Sequence, residues 1–379
     1  MGFDVHVLGT ASARPTSRRA VSGNLVKCRD GVVVIDAGEG FQSRYMAQRR
    51  HLKEFEKGTT VKTNHVSVLA FTHGHLDHTW GALPWMQTMG LDHRQTPLLV
   101  LGPTSSNVMD ALLKKQSIPT ETPPADLARQ WQAWHRLGAS GEGLSYPIRW
   151  VLGDVSQGRW AEMDPQTGHL TLLEGMPQPE GWKSCSLQAL DTQHSVPSCA
   201  WEVKQSGLTG TFNRLRAAEL RLNKEEQREL ATGNDIVHNG QTLSANSFRS
   251  EAGLALRVVL SGDTAEGWAS SIEPGANLLI HEATFLNEQQ DKANEHLHST
   301  AAGAVRTAQQ MKASHLAITH FSSRLKSHEA SLSEANDTGE LPIAAVSDGD
   351  RFLVNDDGTV HHLVKHDSGW TSRNMEPNR

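Results

Sequence analysis

Apolar positions alternate through residues 3–9 and stop at Leu8-Gly9-Thr10, which predicts a strand closed by a tight turn. Residues 21–28 and 32–36 repeat the alternation on either side of Asp30-Gly31 and predict a hairpin. After the glycine-rich turn Asp36-Ala37-Gly38-Glu39-Gly40 a helix is expected to about His51. The run Val66-Ser67-Val68-Leu69-Ala70-Phe71 is apolar throughout and predicts a buried strand, with a helix starting near Thr79. A short strand at 98–101, stopped by Gly102-Pro103, precedes a helix at 104–115. Short strands and loops fill 146–193, including a Pro/Gly-rich loop at 174–182. The last third alternates strands at 256–261, 278–281 and 316–319 with helices at 299–312 and 324–336, then closes on strands at 342–346, 351–354 and 359–364. This order predicts a layered α/β protein in one domain over residues 1–366. The polar residues 367–379 are expected to form a flexible tail.

Two stretches interrupt the alternation. Residues 117–145, rich in Pro, Thr, Gly and Ser around a helical turn at Trp131 and Trp134, are expected as a surface insertion whose tryptophans pack locally. Residues 211–232 are expected as a charged, amphipathic helical stretch, with Leu215 and Leu222 as the expected buried positions. Arg214, Arg216 and Arg221 there either bind phosphate or form a solvated mixed-charge face.

Composition narrows the setting. A hydrophobic content of 37% with 21% charged residues fits an ordinary folded protein, and no apolar run approaches the length of a membrane span. No basic region followed by an apolar stretch opens the chain. Cys28, Cys185 and Cys199 are odd in number and form no CxxC pair, so a reducing, cytoplasmic setting is expected and a cysteine zinc site is not. A net charge of −6 does not advertise a nucleic-acid binder, though a local basic patch could still hold a phosphate backbone.

The chemistry concentrates at Thr72-His73-Gly74-His75-Leu76-Asp77-His78, directly behind the strand at 66–71. Imidazole and carboxylate together suit zinc or a similar divalent ion, and a strand-to-helix turn lets successive side chains converge. Further ligand types follow other expected strands: His194 after 187–190, Asp263 after 256–260 and His320 after 316–318. Strand ends of a layered α/β protein gather along one edge, so these residues can meet. Singly each is weak: a lone His194 is more often structural, and a lone Asp263 is usually a turn or cap residue. Jointly they supply His73, His75, Asp77, His78, His194 and His320 as ligands, with Asp263 able to bridge two ions.

These residues sit in a longer set of motifs: Leu8-Gly9-Thr10 with Pro15-Thr16, Asp36-Ala37-Gly38-Glu39-Gly40, His194-Ser195-Val196-Pro197, Ser261-Gly262-Asp263-Thr264, His281-Glu282-Ala283-Thr284, His298-Ser299-Thr300 and Thr319-His320-Phe321-Ser322-Ser323-Arg324. On them the chain resembles the metallo-β-lactamase superfamily, and within it the ribonuclease Z branch, which cuts the 3′ trailer from precursor tRNA. The resemblance implies an αβ/βα four-layer sandwich and a dinuclear zinc phosphodiesterase, with manganese or another divalent ion as a substitute. It implies one ion on His73, His75 and His194, the other on Asp77, His78 and His320, and Asp263 between them. Asp77 would orient the attacking water. His298 would contact the scissile phosphate and protonate the leaving oxygen, with Glu282 orienting it; a structural helix-start role is the alternative for His298. Ser322 and Arg324 are candidate phosphate contacts.

The pattern departs from that branch in places. Residues 205–245 match the start and return of the branch's protruding arm at Thr209-Gly210-Thr211-Phe212 and Asn239-Gly240-Gln241-Thr242, but contain no Gly-Pro motif between them. Ser198-Cys199-Ala200-Trp201 and Leu325 also differ from the branch. Two substrates therefore compete: tRNA-like RNA, bound by a homodimer through Arg214, Arg216 and Arg221, or a small cyclic nucleotide or dinucleotide. A non-catalytic binding protein is a third reading, opposed by the complete ligand set.

Overall fold

Every residue of strand Val32–Ala37 is buried, and its two faces feed different cores. Val33 and Ile35 join a cluster between two sheets, whereas Val32 and Val34 join one beneath helices. The two-residue period of a strand makes that division. The computed structural model describes residues 2–139, 144–207, 212–248, 253–325 and 327–375. Within them lie an eleven-stranded sheet, a six-stranded sheet and a separate two-stranded hairpin.

Parallel pairing runs through Val32–Ala37, Val66–Ala70, Leu98–Pro103 and Ile148–Asp154 in the larger sheet. It runs through Leu256–Leu260, Leu278–Glu282, Leu316–Thr319 and Ile343–Ala345 in the smaller one. Helices Phe41–Phe55, Ala82–Leu91, Ser106–Leu113 and Leu127–Trp134 cover the larger sheet with Phe41, Tyr45, Trp85, Met109 and Trp131. Helices Ala301–Gln310 and Glu329–Thr338 cover the smaller one with Val305, Ala308 and Ala335. Each buried Val, Leu or Ile contributes roughly 1.5–3 kcal/mol. The order helix, sheet, sheet, helix is the expected four-layer sandwich. Among the described residues no helix is long and apolar enough to cross a membrane.

Three expectations need correction. The stretch 211–232 is not one helix but two, Arg214–Glu219 and Lys224–Thr232, separated by Arg221 at φ 55°. Asn223 starts the second helix with a capping box to Glu226. The break resets the helical phase, so Leu215 is 79% exposed, while Ala217, Leu222 and Leu230 pack with Phe248 in a small core. The segment around 117–145 is not a surface insertion at its helix: Trp131 and Trp134 are buried against Phe71 and Trp150, beneath the larger sheet. The expected loose tail instead places Gly369–Asn374 as an edge strand on Val360–His366, with Trp370 under the Arg351 guanidinium at 4.7 Å. Residues 140–143 of the insertion, Thr209-Gly210-Thr211 at the start of the arm and residues 376–379 of the tail lie outside the described residues.

Candidate metal centre

Both sheets deliver histidines and carboxylates to one edge. His73 follows strand Val66–Ala70, and His75, Asp77 and His78 ride the turn into helix Leu76–Thr79. Helix Leu127–Trp134 braces this turn from outside, since Gln130 donates to the Gly74 carbonyl. A Cβ at Gly74 would stand 1.8 Å from the Ala125 carbonyl, so only glycine allows that approach. From the smaller sheet, Asp263 follows Leu256–Leu260 and His320 follows Leu316–Thr319. Gly262, at φ 61°, brings the Asp263 turn within 2.5 Å of the Thr72 Cβ when a Cβ is placed on it, so this glycine lets the two sheets' loops meet. His194 lies beyond strand Cys185–Asp191.

The seven expected ligands converge in two groups. One is His73, His75 and His194; the other is Asp77, His78, Asp263 and His320. His73 Nε2 is 3.0 Å and His194 Nε2 is 3.2 Å from His75 Nδ1. Those spacings approach the ~3.3 Å edge of a tetrahedron with bonds of about 2.05 Å. His75 thus presents Nδ1 where its two neighbours present Nε2. In the second group His78 Nε2 is 3.4 Å and His320 Nε2 3.2 Å from Asp263 Oδ1, and they lie 3.7 and 3.6 Å from Asp77 Oδ2. Asp263 Oδ2 faces His73 Nε2 at 3.8 Å, so this carboxylate stands between the groups.

The donor set fits divalent cations. The Nε2 atoms of His78 and His320 are buried with no hydrogen-bond partner, a costly arrangement unless a cation takes the lone pair. Burial holds His73 well below the usual imidazole range, His75 at about 4 and His194 below its ordinary value, leaving neutral rings suited to ligation. Burial would raise Asp77, but His78 and His320 bring it down to about 2. Asp263 is held well below the carboxylate range by His320 and His78 against the same burial. Burial alone would lower His78, yet Asp263, Asp36 and Asp77 push it well above the imidazole range. The pocket therefore calls for positive charge, which a bound cation supplies in place of that proton.

His298 and Glu282 stand beside both groups. His298 Nδ1 donates to Glu282 Oε1 at 2.8 Å and lies 4.0 Å from Asp263 Oδ2. Burial would lower the His298 pKa, but Glu282 and Asp263 raise it to about 9. Ser322 and Arg324 lie on the loop past His320, where the Arg324 amide donates to the Ser322 hydroxyl. Three residues that hold the centre stood in the quoted motifs without a role. Asp36 accepts from His78 Nδ1, Thr72 donates to Asp36, and Thr284 donates to Glu282. Asp36 carried a signal, a carboxylate near the end of an apolar strand; the threonines stood beside chemistry-bearing residues but nothing in the sequence gave them a role.

Comparison with known proteins agrees with this architecture. A family model described as the metallo-beta-lactamase superfamily matches residues 18–148. Ribonuclease Z of Myxococcus xanthus is 27% identical over 346 residues, covering 90% of this chain and 94% of its own. Ribonuclease Z of Ignicoccus hospitalis is 28% identical over 334 residues, covering 87% and 91%. Human tRNase Z, short form, superposes with a TM-score of 0.54 at 18% identity, over 93% of this chain and 99% of that one. The metallo-beta-lactamase fold protein YhfI from Bacillus subtilis does so with a TM-score of 0.55 at 16% identity, over 92% and 97%. Over residues 18–148 the chain matches the metallo-beta-lactamase superfamily model, and over most of its length it is similar to ribonuclease Z proteins at 27–28% identity.

Proposed function

We propose that this chain is a metal-dependent phosphodiester hydrolase that cuts tRNA-like RNA at its 3′ end, with two zinc ions, or manganese in their place, on the seven ligands. The carrying observation is Asp263 standing between two groups of candidate ligands with the hydrogen-bonded pair His298–Glu282 at their side. Bound divalent cations would lower the pKa of a water and draw off negative charge from the phosphate. The protein supplies the rest. Asp77 Oδ2 accepts from the Ala13 amide at 2.8 Å, which fixes the carboxylate so that it can orient the attacking water. His298 has Nδ1 tied to Glu282, so the proton it can give to the leaving oxygen sits on Nε2. The curated relatives named ribonuclease Z support RNA as the substrate.

A small cyclic nucleotide is the second reading, and one observation favours it. Arg216, expected on an RNA-binding face, instead donates to the Ser247 carbonyl and lies over the Phe248 ring at 5.1 Å. The test is metal-loaded protein offered precursor tRNA with a 3′ trailer, cyclic nucleotides and a chromogenic phosphodiester side by side. Release of the trailer, abolished in His75→Ala and Asp263→Ala, is the expected result. Cleavage of the cyclic nucleotide alone would establish the second reading, and full activity in either variant would overturn the site.

A further inference from the structure

Two buried carboxylates outside the ligand set end strands in different sheets: Asp36 in the larger and Glu282 in the smaller. Their surroundings match. Asp36 Oδ2 takes His78 Nδ1 at 2.7 Å and the Thr72 hydroxyl at 2.8 Å, while Oδ1 takes the Thr72 amide at 2.8 Å. Glu282 Oε1 takes His298 Nδ1 at 2.8 Å and the Thr264 amide at 2.8 Å, while Oε2 takes the Thr284 hydroxyl at 2.5 Å. Each threonine hydroxyl then reaches a second ring, Thr72 to His73 Nδ1 at 3.1 Å and Thr284 to His320 Nδ1 at 2.9 Å.

Counting protons settles the direction of these bonds. An ionised carboxylate only accepts, so His78, His298 and both hydroxyls donate to it. A hydroxyl has one proton, and each threonine has given it to its carboxylate. Towards His73 and His320 the hydroxyls can therefore only accept, which puts the proton of those rings on Nδ1. Their Nε2 lone pairs are left facing Asp263, at 3.8 Å for His73 and 3.2 Å for His320.

We propose that Thr72 and Thr284 are positioning residues, each relaying a buried carboxylate to a ligand histidine that the carboxylate does not touch. His73 and His320 are thereby locked with Nε2 turned into the centre, one in each half of the sandwich. Each carboxylate serves two rings, one directly and one through a hydroxyl. The same relay ties His320 to the His298–Glu282 pair, so one carboxylate aligns both a ligand and the residue assigned to the leaving group. The inference rests on the reading of the cluster as a metal centre and is independent of which substrate is cut.

The test titrates metal-free protein with zinc against a chromophoric chelator. Thr284→Val and Thr72→Val, which keep the volume and lose the hydroxyl, are each expected to weaken one of the two zinc equivalents about 10–100-fold. Thr284→Ser and Thr72→Ser are expected to restore wild-type binding. Wild-type affinity in either valine variant, or a serine variant as weak as its valine counterpart, would overturn the relay. Nitrogen-15 spectra of zinc-loaded wild-type protein give a readout that needs no variant: protonated Nδ1 on His73 and His320 is expected, and a proton on Nε2 of either ring would contradict the proposal. If wild-type protein took up no zinc at all, the metal-centre reading would fail instead, a separate result.

Discussion

At the scale of single residues, the side chains that converge could be picked out in the sequence, and the hydrogen bonds around them could not. His73, His75, Asp77 and His78 announce themselves because four ligand types crowd one turn, and His194, Asp263 and His320 because each follows an apolar strand. Asp36, Thr72 and Thr284 act by hydrogen bonds across neighbouring strands, and no spacing along the chain encodes that pairing. Two outcomes follow at this scale. His298→Ala should lower kcat on a cleaved phosphodiester by about 10²–10⁴-fold, the usual loss of a general acid, while zinc stoichiometry stays at the wild-type value. Loss of bound metal in that variant would make His298 a ligand rather than an acid. Gly74→Ala forces a methyl onto the Ala125 carbonyl and should destabilise the protein by roughly 1–3 kcal/mol in urea unfolding. An unchanged unfolding midpoint would mean that the close approach of the Ala125 carbonyl to Gly74 is not needed.

At the scale of elements, the strands could be read because they are short, apolar and regularly alternating, and burial on both faces leaves little choice of register. The errors share a cause: tertiary contacts override local composition. Polar residues 369–374 pair as a strand because the edge at Val360–His366 offers free backbone groups. The helix break at Arg221 depends on a left-handed backbone that any surface residue could have avoided. In the Pro- and Ser-rich stretch the helical turn was expected but its burial was not: Trp131, Trp134 and the following His135 pack on Trp150. His135 there has both ring nitrogens buried without partners, and burial lowers its pKa to about 4 from an ordinary value of 6.5. The folded state thus binds this proton more weakly than the unfolded chain. Its contribution is complete above about pH 6.5 and drains away as pH falls towards 4, by at most about 1.4 kcal/mol per pH unit. Urea unfolding of wild type and His135→Phe should therefore diverge between pH 7 and pH 5, with the wild type losing more. A constant difference across that range would show that His135 does not stay neutral in the fold.

At the scale of the whole molecule, the two sheets meet at one edge through Gly262 against Thr72 and through the Cys199 amide on the Thr72 carbonyl at 2.8 Å. The centre is assembled from both halves, so its ligands are in place only when the sandwich is closed. Metal binding then adds to folding stability, by about 2.7 kcal/mol when free metal is a hundredfold above its Kd. Removing metal with a chelator should lower the melting temperature, and adding zinc back should restore it. The most direct test of the account is the metal content of purified, zinc-equilibrated protein, measured by mass spectrometry beside Asp263→Ala and His75→Ala. Two equivalents per chain in the wild type, and fewer in both variants, is the predicted result. A wild-type chain that holds no zinc, or variants that hold as much as the wild type, would contradict a two-metal centre built on these residues.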